Sequence, residues 1–184
     1  KFYKLCITLY EDDFELIRKK ATTTSPHKLI SSRSKQQIKP FINIYYLPNQ
    51  LKFIADHLGR YKFIGHGRDG LNTESEGCPI FYNNSKYELI DKKIFWLSST
   101  PDRVSKGWDA DLNRIVVYGK FKSKSTKQII YVFNTHFDHK GENARLKSAD
   151  LILYYIRKNQ LTNNSIVLIG KHTCPPSESP IQLL

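Results

Sequence analysis

The sequence predicts a mixed α/β protein in which sheets are covered by helices, and three observations carry that prediction. Short β-branched and aromatic runs separated by turn residues recur from Tyr61 to Thr135. A strand, helix and strand then follow in close order from Ile129 to Gly170. The chain of 184 residues, 40% hydrophobic and 12% aromatic, is long enough to enclose a core.

Residues 1–46 are poorly patterned, and composition makes the polar stretch from Ala21 to Gln37 a loop. Pro48-Asn49-Gln50 opens a helical segment with Leu51, Ile54, Ala55 and Leu58 on one face, and Gly59 closes it. Tyr61 to Gly65 reads as a short strand. Cys78 to Tyr82 and Lys86 to Ile90 flank the turn pair Asn83-Asn84 and read as a hairpin. Ile94 to Leu97, Arg114 to Phe121 and Gln128 to Thr135 are further strands. The last of these is apolar on both faces, which places it inside a sheet rather than at an edge. Glu142 to Asn159 is a helix with Ala149, Ile152, Leu153 and Ile156 inward, and Ser165 to Gly170 is the next strand. The final fourteen residues are rich in Pro and Ser.

No run of about 18 apolar residues is present, so no membrane-spanning helix is expected. The formal charge of +12 favours anionic partners, either nucleic acid or phosphorylated small molecules. That charge is spread along the chain and forms no basic block. Cys6, Cys78 and Cys174 are odd in number, far apart and without a Cys-x-x-Cys pair. They therefore suggest neither a zinc knuckle nor a disulfide framework, and a reducing compartment such as the cytoplasm is favoured. Met is absent even at position 1, and Leu183-Leu184 follow what reads as a βα junction, so a fragment or a misassembled gene is the expectation.

Chemistry concentrates where the buried strand runs out, at Asn134-Thr135-His136-Phe137-Asp138-His139. Carboxyl ends of strands open into crevices in α/β sheets, which is why ligand groups collect there. Period two puts Asn134, His136 and Asp138 on one face if the strand continues that far. An amide, an imidazole and a carboxylate so placed can hold a phosphoryl oxygen and move a proton. The structural alternative is that His136 ends the strand and Asp138 caps the helix beginning near Glu142. A second cluster, Gly65-His66-Gly67-Arg68-Asp69-Gly70 followed by Glu76, combines permissive glycines with an Arg able to grip an anion. Trp108-Asp109-Ala110, followed by Arg114, is a third, and a packed corner would explain it equally well.

Taken in order, these residues resemble the endonuclease/exonuclease/phosphatase superfamily, in particular its single-domain microbial branch. The resemblance runs through Leu47-Pro48-Asn49-Gln50-Leu51, Phe63-Ile64-Gly65 with Gly67-Arg68-Asp69-Gly70, Ile80-Phe81-Tyr82, Phe95-Trp96-Leu97-Ser98, Gly107-Trp108-Asp109-Ala110, Arg114-Ile115 and Asn134 to His139. It implies one domain over residues 1–184, made of a divergent N-terminal segment (residues 1–46), a matching core (residues 47–170) and a divergent tail (residues 171–184). The implied fold is a DNase I-like four-layer sandwich of two mixed sheets flanked by helices, here truncated. The implied activity is metal-dependent phosphoester hydrolysis, by a nuclease or a phosphatase, with Mg²⁺ as cofactor. By the same resemblance His136 handles a proton, and Glu76, the acid of a Glu-x-x-x-Ile pattern before the Ile-Phe-Tyr strand, orients it. Asn134, Asp138, Arg68, Asp109 and His139 take substrate-binding positions.

The departures from the family pattern are as informative. The family's metal-binding Gln-Glu pair is replaced by Ile44-Tyr45-Tyr46, either because Tyr45 stands for the Glu or because the whole strand is lost. The second possibility draws on Arg33 and Ile38-Lys39-Pro40-Phe41-Ile42, which resemble the helix that precedes that strand. Gly-Asp-Phe-Asn is replaced by Gly170-Lys171-His172-Thr173, and the terminal Asp-His pair is missing. No metal ligand is identified. The expectation is a protein that is inactive or weakly active, or else a non-catalytic remnant that binds phosphorylated ligands or nucleic acid.

Overall fold

The computed structural model describes residues 41–43, 51, 56, 59–71, 73–173 and 179–183. Its elements run β1 (Phe41–Asn43), β2 (Tyr61–Ile64), β3 (Ile80–Asn83), β4 (Tyr87–Trp96), β5 (Ile115–Ser123), β6 (Ile129–His136), α1 (Glu142–Lys158), a 3₁₀ turn (Leu161–Asn163), β7 (Ser165–Lys171) and α2 (Ser179–Leu183). One sheet has the order β1-β3-β2 and the other β4-β5-β6-β7. Leu51 and Asp56 are helical; the rest of the helix expected around them lies outside the described residues.

Alternation along β5 and β6 sets the layers. Ile115, Val117, Phe121 and Val132 meet Ile64, Cys78, Ile80 and Tyr82 of the smaller sheet in one core. Val116, Tyr118, Tyr131 and Phe133 face the other way, onto Ala149, Ile152 and Ile156 of α1. The second core explains why β6 is apolar on both sides: it lies between β5 and β7, sandwiched between the other sheet and a helix. Pairing of β6 with β7 is parallel and α1 connects them, so the predicted βαβ unit is present. Leu153 is half-buried, while Ala149, Ile152 and Ile156 are fully inward. This two-sheet arrangement with covering helix is the DNase I-like α/β sandwich.

Three expectations need correction. Asn83-Asn84 do not close a hairpin: β3 pairs with β1 and β2, while β4 pairs with β5. The Asn83–Lys86 turn, closed by the Lys86 N–H on the Asn83 carbonyl at 3.1 Å, instead carries the chain from one sheet to the other. Lys86 to Ile90 and Ile94 to Leu97 are not separate strands. The edge strand β4 runs through the polar Asp91-Lys92-Lys93 with a bulge between Leu89 and Asp91, because its outer side is solvated. Finally, Phe41 and Ile42 are in a strand, not a helix. Phe41, opposite Tyr82 on β3, packs its ring 4.9 Å from Tyr87 and 4.8 Å from Phe121, measured between centroids. Ile44-Tyr45-Tyr46 and the polar stretch 21–37 lie outside the described residues. The tail contributes α2, which packs against α1.

Candidate functional site

The carboxyl end of β6 opens beside a loop from Gly65 to Gly77. That loop is closed on itself by bridges from Gly67 to Gly70 and to Gly77, and by the Arg68 N–H on the Glu76 carbonyl at 3.0 Å. Trp96 anchors it by donating its indole N–H to the Arg68 carbonyl at 2.7 Å. A side chain at position 67 would collide with Ser75, whose Oγ lies 2.5 Å from an ideal Cβ there. The tight fold turns Arg68 and Glu76 towards each other, with Arg68 Nη1 donating to Glu76 Oε2 at 2.6 Å. His136 Nδ1 lies 4.0 Å from the same oxygen. The expected pair therefore does come together, but Arg68 is the closer partner of the carboxylate. Arg68, Glu76, Cys78, Asn113, Arg114 and His136 line a small cleft.

His136 is largely buried beneath cations. Burial first, then the charges of Arg114, Lys171, Arg68 and His139, push its imidazole down to about 3. At neutral pH it is uncharged, with one ring N–H that can donate a hydrogen bond but no imidazolium proton to transfer.

Asn134 is completely buried, and its amide N–H groups donate to the Cys78 and Pro79 carbonyls at 3.0 and 2.8 Å. Here it ties the two sheets together below the cleft. Its Oδ1 has no hydrogen-bond partner among the described residues. Cys78 is a buried free thiol, and burial pushes its pKa up to about 12, so it stays protonated and is not a nucleophile in this setting.

Asp138 lies beyond the end of the strand and is 1% exposed. Its Oδ1 accepts the Lys140 and Gly141 N–H groups, both at 2.9 Å, while Oδ2 accepts the Leu112 N–H at 3.3 Å and Arg114 Nε at 3.2 Å. Burial by itself would raise its pKa, but those backbone donors together outweigh burial and hold the carboxyl well below the usual range. His139 stands on the far side of Arg114, with Nδ1 3.2 Å from Nη2, and its Nε2 faces Asp111 Oδ2 at 3.5 Å. Asp109 is directed elsewhere: its carboxylate accepts the Asn143 and Ala144 N–H groups at 3.2 and 2.6 Å and so caps α1 from a distant loop.

Two cleft residues had no assigned role from sequence. Arg114 is 4% exposed and central to the cleft. Asn113 bridges to the glycine-rich loop by donating to Asp69 Oδ1 at 2.7 Å. The signal for both was their place between Trp108-Asp109-Ala110 and a buried strand, where a polar pair has to face a crevice.

Mg²⁺ requires several oxygen ligands, mostly carboxylates and water. Among the described residues no three His, Cys, Asp or Glu side chains gather to hold a metal ion. Among the described residues the cleft presents one carboxylate, Glu76, and Arg68 already engages it. Lys171 is the β7 residue opposite His136 and adds a cation. These residues do not fit a hard divalent cation.

No family model matches the chain. "Uncharacterized protein L388" of Acanthamoeba polyphaga mimivirus is 36% identical over 123 residues, which are 65% of this chain and 45% of that protein. Among solved structures, an endonuclease/exonuclease/phosphatase protein of Bacteroides vulgatus aligns with a TM-score of 0.74 and 38% identity, over 78% of this chain and 56% of the other. A mannosyl-6-phosphatase of Bacteroides thetaiotaomicron aligns with a TM-score of 0.74 and 35% identity, over 78% and 55%. The chain spans about half the length of these relatives. Among the described residues no helix is long and apolar enough to cross a membrane.

Proposed function

We propose that this chain, which shares the fold of the endonuclease/exonuclease/phosphatase family, binds the phosphoryl group of a phosphorylated ligand in the cleft between Arg68, Arg114 and His136, and turns it over slowly or not at all. The observation that carries this reading is the charge of the cleft. Arg68, Arg114 and Lys171 surround a neutral imidazole, with Glu76 engaged by one of them. Such a site attracts an anion and repels a divalent cation.

Hydrolysis in this fold would need two things these residues supply poorly. One is a group to neutralise charge on the reacting phosphate and activate water, which Mg²⁺ would provide if bound. The other is a proton for the leaving oxygen. His136, held far below neutral pH by burial and by its cationic neighbours, cannot donate one at pH 7. Likeness to a mannosyl-6-phosphatase favours a small phosphomonoester as the ligand; the +12 charge keeps a nucleic-acid strand as the second reading.

The test is turnover of a sugar phosphate and of a simple phosphodiester with Mg²⁺, in the unmodified chain and in His136→Ala. Rates should fall at least about a thousandfold below those of a complete metal-assisted site, and should be the same in the variant. A robust rate that needs both Mg²⁺ and His136 would overturn the slow-turnover reading.

A further inference from the structure

The cleft's chemistry points to more than loss of a metal site. We propose that it binds a phosphoryl group without any metal ion, with Arg114 as a fixed anchor and the Lys171 ammonium in the role of the cation. This rests on the reading above that the cleft takes a phosphoryl group.

Arg114 is built in rather than draped over a surface. It is 4% exposed, Asp138 Oδ2 holds its Nε, and His139 lies against Nη2 at 3.2 Å. A guanidinium has no acceptor, so His139 Nδ1 must accept that hydrogen bond. The ring proton is then on Nε2, towards Asp111 Oδ2. With that tautomer His139 is a positioning residue: it fixes the plane of Arg114 and has no free lone pair with which to act as a base. Nη1 of Arg114 makes neither of these two bonds, and a planar fork held at one edge can present its other N–H groups to an oxyanion.

Lys171 comes from the neighbouring strand. It is the register partner of His136 across β6 and β7, and partners in adjacent strands project from the same face of a sheet. Arg68 and Arg114 have carboxylate partners within the site. Among the described residues Lys171 makes no ion pair, so its charge is the excess that an incoming anion would meet. A tethered ammonium supplies one positive charge without ligands, which suits a cleft unable to hold Mg²⁺.

The experiment is calorimetric titration of the full chain with inorganic phosphate, in EDTA and again in millimolar Mg²⁺. Saturable binding should agree within about twofold between the two conditions. In Lys171→Ala it should weaken by about fivefold or more, with thermal unfolding unchanged because the residue is exposed. Binding that appears only with Mg²⁺, or that Lys171→Ala leaves intact, overturns the metal-free proposal and leaves the phosphate reading standing. No binding in either buffer overturns both.

Discussion

Strands β6 and β7 lie side by side and end together, with His136 of one opposite Lys171 of the other. Around the end of β6 most polar groups are well placed: the Asp138 carboxylate takes three backbone donors and Arg114, and the Asn134 amide nitrogen bridges two carbonyls, although Asn134 Oδ1 has no partner among the described residues. Around the end of β7 glycine suits its position, but the residues after it fit their surroundings less well. Gly170 has φ +150°, with Thr135 so close that an added Cβ would meet its carbonyl. His172 is buried with Nε2 unpartnered among the described residues, edge-on to Phe137. Thr173, β-branched, has a left-handed φ of 58°. The two strand ends share one architecture, but the first has side chains better matched to it. Residues 171–173, which depart from the family's Asp-Phe-Asn, are where mismatch between side chain and backbone gathers.

The sharpest way to break this comparison is at the glycine. In Gly170→Ala the new Cβ would overlap the Thr135 carbonyl oxygen, in a backbone conformation that L residues rarely adopt. A loss of about 3 kcal/mol or more in urea unfolding is expected. A loss below about 1 kcal/mol would mean that the two strand ends are not pinned together.

Acid should act next. Burial lowers His172 to about 4 and, with its cationic neighbours, His136 to about 3, both from 6.5. The unfolded chain therefore binds more protons than the folded one as pH drops below about 6.5. Stability present above that pH is lost progressively towards pH 4 and then 3, by about 2 kcal/mol per imidazole at pH 5. His172→Phe removes one of the two contributions. It should flatten the pH dependence of urea unfolding between pH 7 and 5 by roughly half, and raise stability at pH 7 by about 1 kcal/mol through loss of an unpartnered buried nitrogen. An unchanged pH profile would place His172 in contact with solvent.

Thr173→Asn should have the smallest effect. Asn tolerates left-handed backbone, and its amide has two N–H donors where the single Thr173 hydroxyl faces the Phe137 and Asp138 carbonyls at 3.2 and 2.8 Å. A gain of about 0.5–1 kcal/mol in urea unfolding is expected; a loss would show that the Thr methyl packs better than the amide can.

How much of this was legible in sequence follows from how local each signal is. The βαβ unit was readable because β6, α1 and β7 each declare themselves by period and composition, and a helix between two buried strands admits one arrangement. Asn83-Asn84 declared a turn correctly but not its partner strands, since a corner between sheets and a hairpin use the same turn chemistry. Phe41–Asn43 was invisible as a strand because three residues carry no period, and Phe41 gains its place from Tyr82, Tyr87 and Phe121, all distant in sequence. The site divides in the same way. Arg68, Glu76 and His136 were named and do share a cleft. Arg114 stands out in sequence beside Trp108-Asp109-Ala110 but takes no role there, because its burial is not visible in spacing, and the role of Asp109 as a remote cap depends on a loop contact that no spacing encodes.

The most direct test of a cation-lined cleft that receives an anion is the titration of His136 itself, followed by the NMR signals of its imidazole with and without inorganic phosphate. Without phosphate the ring should stay neutral until well below the ordinary histidine range, towards about 3; with phosphate bound, the anion should offset its cationic neighbours and move the titration upward by about one unit or more. An imidazole that titrates near 6.5 and ignores phosphate would contradict both the burial of His136 and the charge that surrounds it.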